Sequence, residues 1–278
     1  MRPILASLQV AVVVLSLVSL SAAQTPSAPT PEQLAAYETF RAWMIKQPVE
    51  VRRAADDVLF QRYAAELGGQ GKSDKEIAST IESLKKLGDR PEVERWNRIL
   101  TSPRPMFNLA PNAFLVEMTR GLKPGRALDV GMGQGRNTVY LAQQGWDSVG
   151  FDPADRAVAA AQDQATKLGV KITTHVARAE DFDWGNGQWD LIVLSYVGGR
   201  EYVGKILAAL RPGGMLIVEG FHRDATRTQS IGGAVVFDTN ELLKLFAGLR
   251  VVRYEDTHAV ADFGLSDTRV VRLAAIKP

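Results

Sequence analysis

A run of eleven residues, from Ala127 to Asn137, places the narrowest limits on how this chain can fold. It reads ALDVGMGQGRN, with a short apolar segment, three glycines at alternate positions and the start of a helical pattern. Gly131, Gly133 and Gly135 let the backbone bend sharply and approach a ligand without clashes from Cβ atoms. A ligand at such a turn meets the free N–H groups of a helix N-terminus. The run therefore predicts a strand, a ligand-binding turn and a helix.

The chain beyond Gly121 alternates apolar strand patterns with helical patterns, which is typical of a parallel sheet with helical crossovers. The seven predicted strands are Arg126–Val130, Ser148–Phe151, Lys171–His175, Leu191–Ser195, Met215–Glu219, Leu249–Tyr254 and Val270–Ile276. The predicted helices between them are Asn137–Gln144, Asp155–Leu168, Tyr202–Leu210 and Asn240–Phe246. A loop joins the last two strands, so we expect an antiparallel pair at the sheet edge. The predicted fold class of residues 121–278 is α/β, with a seven-stranded, doubly wound and mostly parallel sheet.

Residues 32–120 carry helical patterns and are expected to form an N-terminal helical extension. Helix starts are marked by Pro31 ahead of an acid, by a capping box at 73–76 and by Asn112 as a candidate N-cap. One of the helices is predicted to run from Val49 to Leu67. We expect the extension to pack against the sheet and to act as a lid without chemistry of its own.

The first residues are set apart from the fold by their composition. Arg2 precedes an apolar run from Ile4 to Leu20, and the small residues before Gln24 fit a signal-peptidase site. We therefore expect residues 1–23 to be an export signal and the proline-rich residues 24–31 to be a linker. The alternative is an uncleaved membrane anchor, and in both cases the flanking charges place the rest of the chain outside the cytoplasm. After cleavage no stable membrane insertion is expected.

Composition excludes several kinds of site. The chain has no cysteine, which excludes disulfides, thiolate nucleophiles and cysteine-based zinc sites. The net charge is +2 and the basic residues are scattered among acids, so nucleic acid is not expected as a partner. No metal site is expected either, because no pair of the three histidines has metal-ligand spacing. The sequence does not indicate an oligomeric state.

Acidic residues near the glycine turn narrow the choice of ligand. Asp152 ends the second predicted strand, where an acid can accept hydrogen bonds from both hydroxyls of a ribose. Asp129 lies in the first strand, where a carboxylate repels a pyrophosphate and attracts a cationic amino group. Arg136 stands where the G-x-G-x-x-G pattern of dinucleotide-binding folds requires its last glycine. These residues favour a cationic ligand over a nicotinamide dinucleotide.

Five segments resemble, in their order and spacing, the class I S-adenosylmethionine-dependent methyltransferases. The resemblance covers about residues 105–278, and the segments are 127–135, 150–154, 179–181, 189–193 and 210–214. Residues 135–146, GRNTVYLAQQGW, further resemble the small-molecule branch that includes tellurite-resistance and thiopurine-type enzymes. The resemblance implies a Rossmann-like fold and S-adenosylmethionine as the cofactor.

The resemblance also implies which residues bind that cofactor. The glycines would cradle its methionine moiety, Asp129 would orient its amino group and Asp152 would hold its ribose. Beyond the third strand, Ala179 would offer its N–H to the adenine ring and either Glu180 or Asp181 would bind the exocyclic amine. That choice stays open because the family often has an aspartate at the position of Arg178 in this chain. The implied cofactor-binding residues are Asp129, Gly131, Gly133, Gly135, Asn137, Asp152, Ala179, Glu180, Asp181 and Ser195.

Two side chains are candidates for catalysis. Tyr196, which follows Ser195 at the end of the fourth strand, should face the methyl group and the acceptor. His222 follows the fifth strand, with Glu219 close by, and is a candidate for acceptor contact or for a general base. Methyl transfer from a sulfonium mainly requires alignment and exclusion of water, so the lack of an obvious base is no objection.

These observations favour an S-adenosylmethionine-dependent methyltransferase that methylates a small molecule by in-line displacement. The alternative is a non-catalytic ligand-binding or scaffolding protein that retains the fold. Export from the cytoplasm favours this alternative, since nucleotide-like cofactors are scarce outside. A nicotinamide-dependent oxidoreductase is a third possibility, but the glycine spacing and Asp129 argue against it.

Overall fold

The computed structural model describes residues 29–278, in which a set of helices packs on a mixed sheet. The predicted export signal, residues 1–23, lies outside the described residues, together with most of the predicted linker. Thr30 caps the first helix, because its hydroxyl accepts a hydrogen bond from the Gln33 amide and its own amide donates to the Gln33 side chain. Pro31 is the first residue of that helix.

Helices separate most of the strands from β1 onward, as the sequence predicts, whereas loops join β3 to β4 and β7 to β8. The strands are β1 (Arg126–Val130), β2 (Asp147–Asp152), β3 (Thr173–Val176), β4 (Trp189–Ser195), β5 (Leu210–His222), β6 (Val236–Phe237), β7 (Arg250–Val260) and β8 (Asp267–Ile276). The α-helices are α1 (Pro31–Ile45), α2 (Val49–Arg52), α3 (Asp56–Gly69), α4 (Asp74–Leu87), α5 (Arg90–Leu100), α6 (Ala113–Thr119), α7 (Arg136–Gln143), α8 (Asp155–Lys167), α9 (Val203–Ala209) and α10 (Glu241–Leu245). Short 3-10 helices cover Arg200–Tyr202, Arg223–Arg227 and Gly233–Val235.

The strand order β3-β2-β1-β4-β5-β8-β7 confirms the predicted fold class, a doubly wound and mostly parallel sheet. β1 pairs in parallel with β2 and β4, while β8 pairs antiparallel with β5 and β7, as expected at this edge. The chain builds β2 and β3 on one side of β1 and then returns to the other side with β4. Ligands of such sheets bind beyond the carboxyl ends of the strands, next to this reversal. The glycine turn follows β1 and therefore lies at that place.

Several strand bounds differ from the predicted ones, most of all in β5 and β7, which are longer, and two further differences concern whole elements. A two-residue strand, β6, pairs with the end of β5 and is too short to leave a sequence pattern. The helix predicted from Val49 to Leu67 is divided into α2 and α3. The break follows Arg52 and Arg53, whose guanidinium groups donate to backbone carbonyls of Ile231 and Val236 in the sheet domain. Tertiary hydrogen bonds here override local helix propensity.

The central strands bury apolar side chains on both faces, because helices cover both sides of the sheet. One face of β1, β4 and β5 buries Leu128, Val130, Ile192, Leu194, Leu216 and Val218. The other face buries Ala127, Leu191, Val193, Met215 and Ile217. Asp129 lies in β1 among these side chains, so its ionisation takes place in a largely apolar environment.

The helical extension reaches the glycine turn through α5. Asn97 is buried in this helix, donates to Asp155 Oδ1 at 2.7 Å and accepts from the Arg156 amide at 2.9 Å. These bonds tie α5 to the first turn of α8. Leu100, the last residue of α5, lies over the turn, with its Cδ2 atom 3.2 Å from the position of a Cβ on Gly133.

Replacing Gly150 by alanine should destabilise the protein by about 1–3 kcal/mol, because the added methyl group would overlap the core. A Cβ at this position lies 2.5 Å from Met132 Sδ and 2.9 Å from Thr138 Oγ1. Gly204→Ala in α9 is the control, since nothing among the described residues lies within 4 Å of its Cβ and alanine favours the helix. Urea unfolding followed by circular dichroism measures both, and equal effects would contradict the prediction.

Candidate active site

The glycine turn after β1 is built from backbone that only glycine adopts readily. Gly131, Gly133 and Gly135 have φ angles of +64°, +54° and +80°. A Cβ on Gly135 would lie 2.6 Å from Ala161 Cβ, and one on Gly131 would lie 2.6 Å from Val197 Cγ2. The turn is therefore packed tightly between α8 and the segment that follows β4, and side chains at these positions would displace it.

Asp152 fastens the end of β2 to this turn. Its Oδ2 atom accepts a hydrogen bond from the Gly133 amide at 2.9 Å, and its Oδ1 atom accepts one from the Ala154 amide at 2.8 Å. Burial raises the pKa of this carboxyl, while the two amide bonds act in the opposite direction. Each carboxylate oxygen has a second lone pair, so Asp152 can accept further hydrogen bonds from a ligand.

Asp129 lies behind the turn and is buried. Its Oδ2 atom accepts a hydrogen bond from the Thr138 hydroxyl at 2.6 Å. Burial raises the pKa of Asp129 to about 6, although the Thr138 hydroxyl and the positive charge of Arg136 oppose the shift. A negative charge held here is incompletely compensated, and a cationic group brought near it would be stabilised.

Arg136, the first residue of α7, joins three separate segments beside the turn. Its guanidinium lies 2.8 Å from Asp262 Oδ2 in the β7–β8 hairpin and donates to Ser195 Oγ at 3.2 Å and to the Ala110 carbonyl at 3.0 Å. Both partners of the ion pair are nearly buried, with side chains about one tenth exposed. The arginine that breaks the dinucleotide-binding pattern thus organises the crevice between β1 and β4.

Asn112 connects this crevice to the helical extension. It caps α6, as predicted, by accepting a hydrogen bond from the Leu115 amide at 2.9 Å. Its own amide donates to Asn137 Oδ1 at 2.9 Å, and its Nδ2 atom donates to Glu219 Oε2 at 3.0 Å and to Asp262 Oδ2 at 2.8 Å. Asn137, a predicted cofactor-binding residue, therefore uses its Oδ1 atom in a bond to the backbone of Asn112.

Tyr196 follows β4 in a left-handed conformation, with φ +60°, which is unusual for a residue with a side chain. Its hydroxyl donates to Glu219 Oε1 at 2.7 Å and accepts from the Asp262 amide at 3.2 Å. Arg272 compensates the buried Glu219, with Nε 2.9 Å from Oε2. Burial and the adjacent Glu219 raise the pKa of Tyr196, so the hydroxyl stays protonated. Tyr196 is positioned here as a hydrogen-bond donor.

The residues predicted for adenine lie on the other side of Asp152. The Ala177 amide donates to the Asp152 carbonyl at 3.2 Å and carries the chain from β3 toward Ala179. Glu180 is exposed, and its Oε1 atom accepts from the Tyr202 hydroxyl at 2.6 Å, which lowers the pKa of Glu180. Asp181 comes next in the same loop, where its amide donates to the Arg178 carbonyl. This segment is thus near Asp152 and separate from the Arg136 cluster.

His222 is buried at the end of β5, and both of its ring nitrogens have hydrogen-bond partners. Nδ1 accepts from the Asp224 amide at 3.1 Å, and Nε2 lies 3.0 Å from Thr239 Oγ1. The ring caps the 3-10 helix at Arg223–Arg227. These partners all lie outside the glycine turn, and a role for His222 in catalysis stays a prediction. Among residues 29–278, no cluster of three or more potential ligands could hold a metal ion.

Comparison with known proteins shows which domain family this part of the chain resembles. Residues 127–214 match the family model described as a methyltransferase domain. The matched segment contains the glycine turn, Asp152 and the end of β4. Residues 127–214 therefore belong to a methyltransferase domain, and the sheet around them has the class I fold.

Relatives of the methyltransferase domain match it over part of their length. An uncharacterized methyltransferase of Synechocystis sp. is 32% identical over 111 residues, which cover 37% of this chain and 50% of that protein. A ubiquinone biosynthesis O-methyltransferase of Azorhizobium caulinodans is 32% identical over 111 residues, covering 37% of this chain and 43% of that protein. The chain spans about half the length of the curated relatives it matches.

A solved structure shares the fold of the methyltransferase domain. TehB from Haemophilus influenzae superposes with a TM-score of 0.51 at 18% sequence identity, over 60% of this chain and 62% of that chain. At this identity the likeness concerns the fold. No helix within residues 29–278 is long and apolar enough to cross a bilayer.

Several polar residues that line the crevice of the methyltransferase domain were not predicted from the sequence motifs. Glu219 could have been recognised, because it is an acid inside the apolar strand pattern LIVEGFH. Asp262 and Arg272 could not have been recognised, because they come from an antiparallel hairpin more than 100 residues beyond the glycine turn. Their positions depend on β8 pairing with β5, where Arg272 lies opposite Glu219.

The buried Asp129 should make stability depend on pH. Its pKa is higher in the folded protein than in the unfolded chain, so its contribution is fully present below about pH 4 and is lost as the pH rises through about 6. Asp129→Asn removes this dependence. Between pH 4 and pH 8 the unfolding free energy of the unchanged protein should fall by about 3 kcal/mol relative to that of the variant. Urea titrations at several pH values measure the difference, and a constant difference would contradict the assignment.

Proposed function

We propose that this protein is an S-adenosylmethionine-dependent methyltransferase that transfers the methyl group to a small-molecule acceptor. One observation carries the proposal: two buried carboxylates, Asp129 and Asp152, flank a left-handed glycine turn at the carboxyl ends of β1 and β2. In this arrangement the Asp129 carboxylate can attract a cationic group, and the Asp152 carboxylate can accept hydrogen bonds from ribose hydroxyls. The matched methyltransferase domain over 127–214 supports it.

The residues present fit this cofactor. The turn leaves no room for Cβ atoms at Gly131 and Gly135, so only glycine keeps its backbone in the shape that would cradle a ligand. Gln134, between the last two glycines, has a buried Oε1 atom without a hydrogen-bond partner, which would accept a bond from a polar ligand. Asp129 would stabilise the amino group of the methionine moiety, and Asp152 would hold the ribose. Either Glu180 or Asp181 would take the adenine amine.

The cofactor supplies a methyl group on a sulfonium, which is a good leaving group. The chain's own residues would then mainly align the acceptor and exclude water. Leu100 and Val197 lie directly against the turn and provide an apolar wall there. Tyr196 stays protonated and donates its one O–H to Glu219, so the residue that follows Ser195 is not a strong base. This favours an acceptor that is already anionic or is a soft nucleophile.

Two observations support the proposal that the acceptor is a small molecule. The segment 135–146 resembles the small-molecule branch of the family, and the Azorhizobium relative is by name an O-methyltransferase of ubiquinone biosynthesis. We extend only the class of acceptor to this chain. A panel of phenols, thiols and amines with a labelled methyl donor tests it. Cofactor binding without transfer to any member would favour a non-catalytic binding protein.

Asp152→Ala should weaken S-adenosylmethionine binding by about tenfold or more, because hydrogen bonds from ribose hydroxyls to a carboxylate are lost. Calorimetry with the purified protein measures the affinity, and NAD serves as the ligand that should not bind. Asp163→Ala, an exposed position on α8, is the matched control and should leave the affinity unchanged. An unchanged affinity in Asp152→Ala would refute its role, and absence of binding at millimolar cofactor would refute the proposed function.

We also propose that residues 1–23 direct the chain out of the cytoplasm. Charge and apolar length support this, as does the run of small residues before Gln24. N-terminal sequencing of the natural protein should begin at Gln24. An intact Met1 would contradict cleavage and favour a membrane anchor, which fractionation of membranes would then reveal.

A further inference from the structure

The tip of the β7–β8 hairpin places a carboxylate and an aromatic ring side by side in the crevice. Asp262 pairs with Arg136, and Phe263 packs against Phe107 and Tyr196. We propose that the acceptor is an aromatic carboxylic acid, which takes the place of these two side chains when the hairpin tip moves away. This inference rests on the proposed function and names its substrate class.

Three side-chain donors converge on the Asp262 carboxylate. Arg136 and Asn112 Nδ2 each lie 2.8 Å from Oδ2, and Asn108 Nδ2 lies 3.1 Å from Oδ1. These three donors form a carboxylate-binding site, and in this structure the Asp262 carboxylate of the hairpin occupies it. Ser195 Oγ, at the end of β4, is 3.2 Å from the same guanidinium. The anion site therefore borders the end of β4, where the resemblance expects the methyl group.

An aromatic wall stands beside this carboxylate site. The Phe263 ring stacks on Phe107 with centroids 5.4 Å apart, and it contacts Tyr196 at 5.5 Å and Trp96 edge-on at 6.1 Å. Tyr196 packs in turn on Phe221 at 4.9 Å. Rings in these arrangements attract a further ring in the same way. A ligand that carries an aryl group next to a carboxylate could pack against these rings and accept hydrogen bonds from the three donors.

Exchange of one carboxylate for another preserves the charge balance of the crevice. Removing Asp262 alone would leave Arg136 buried without a counter-ion, which is costly. An acceptor carboxylate restores the ion pair and the hydrogen bonds of both asparagines. Glu219 does not compete, because its oxygens are already bonded to Tyr196, Asn112 and Arg272. A carboxylate held by three donors is a weak nucleophile, so this group anchors the acceptor and a different atom receives the methyl group.

The backbone of the hairpin tip adopts an unfavourable conformation at its turn. Gly264 and Leu265 follow Phe263 with φ angles of +78° and +48°, and Leu265 is 49% exposed. A left-handed conformation is disfavoured for leucine, which opposes the closed arrangement. Two backbone hydrogen bonds tie the tip to the extension, from the Asn108 amide to the Asp262 carbonyl and from the Gly264 amide to the Met106 carbonyl.

The test compares benzoate with benzamide, which lacks the charge, in calorimetric titrations of the purified protein. Asp262→Asn should bind benzoate about tenfold more tightly than the unchanged protein, because the internal competitor for Arg136 is gone. Its affinity for benzamide should not change. Asp267→Asn removes an exposed acid from the same hairpin and is the matched control. A benzoate affinity no higher in Asp262→Asn than in the control overturns the proposal.

A second variant and a second measurement guard against a folding defect. Adding Arg136→Gln to Asp262→Asn should abolish the preference for benzoate, and a preference that persists overturns the proposal. In the unchanged protein, benzoate should accelerate hydrogen exchange of the amides at 260–266 severalfold, and benzamide should not. Equal exchange with both probes overturns it as well. S-adenosylmethionine binding is measured in the same samples, and its absence would refute the proposed function separately.

Discussion

The hydrogen bond from the Gly133 amide to the Asp152 carboxylate joins the glycine turn to the neighbouring strand, and the crevice depends on it. The turn has no side chains of its own at its three glycines, so its shape is set by what surrounds it. Asp152 holds it from β2, Ala161 limits it from α8 and Leu100 covers it from the extension. The backbone is thereby fixed before any ligand arrives, which reduces the entropy that binding must overcome.

Charge placement divides the crevice into two regions with different physical characters. Behind the turn, Asp129 is a poorly compensated carboxylate, which a nearby cation would stabilise. Beside the turn, Arg136 and Asp262 compensate each other, as do Arg272 and Glu219. The proposed sulfonium cofactor would suit the first region, and the proposed acceptor carboxylate would suit the second once Asp262 has moved away. Together they would bring a cation and an anion close to each other in the crevice, where their attraction is stronger than in water.

The sequence was sufficient for those parts of the structure that short segments encode. The alternation of strands and helices predicted the sheet, and the run from Ala127 to Asn137 predicted the turn, because glycine spacing and apolar pattern are local properties. The division between α2 and α3 could not be predicted, since it follows side-chain bonds of Arg52 and Arg53 to distant carbonyls. The roles of Asp262 and Arg272 could not be predicted either, because only strand pairing brings these residues to Asn112 and Glu219.

The position of β8 has a consequence for the order of folding. This strand follows all the others in sequence, yet it lies inside the sheet between β5 and β7. Until it is in place, β5 has an open edge and Glu219 is without Arg272. During synthesis the glycine turn and its neighbours can therefore form first, whereas the crevice closes only when the last strand is inserted. A nascent chain shorter by that strand would expose a hydrophobic edge of the kind that chaperones recognise and that aggregation exploits.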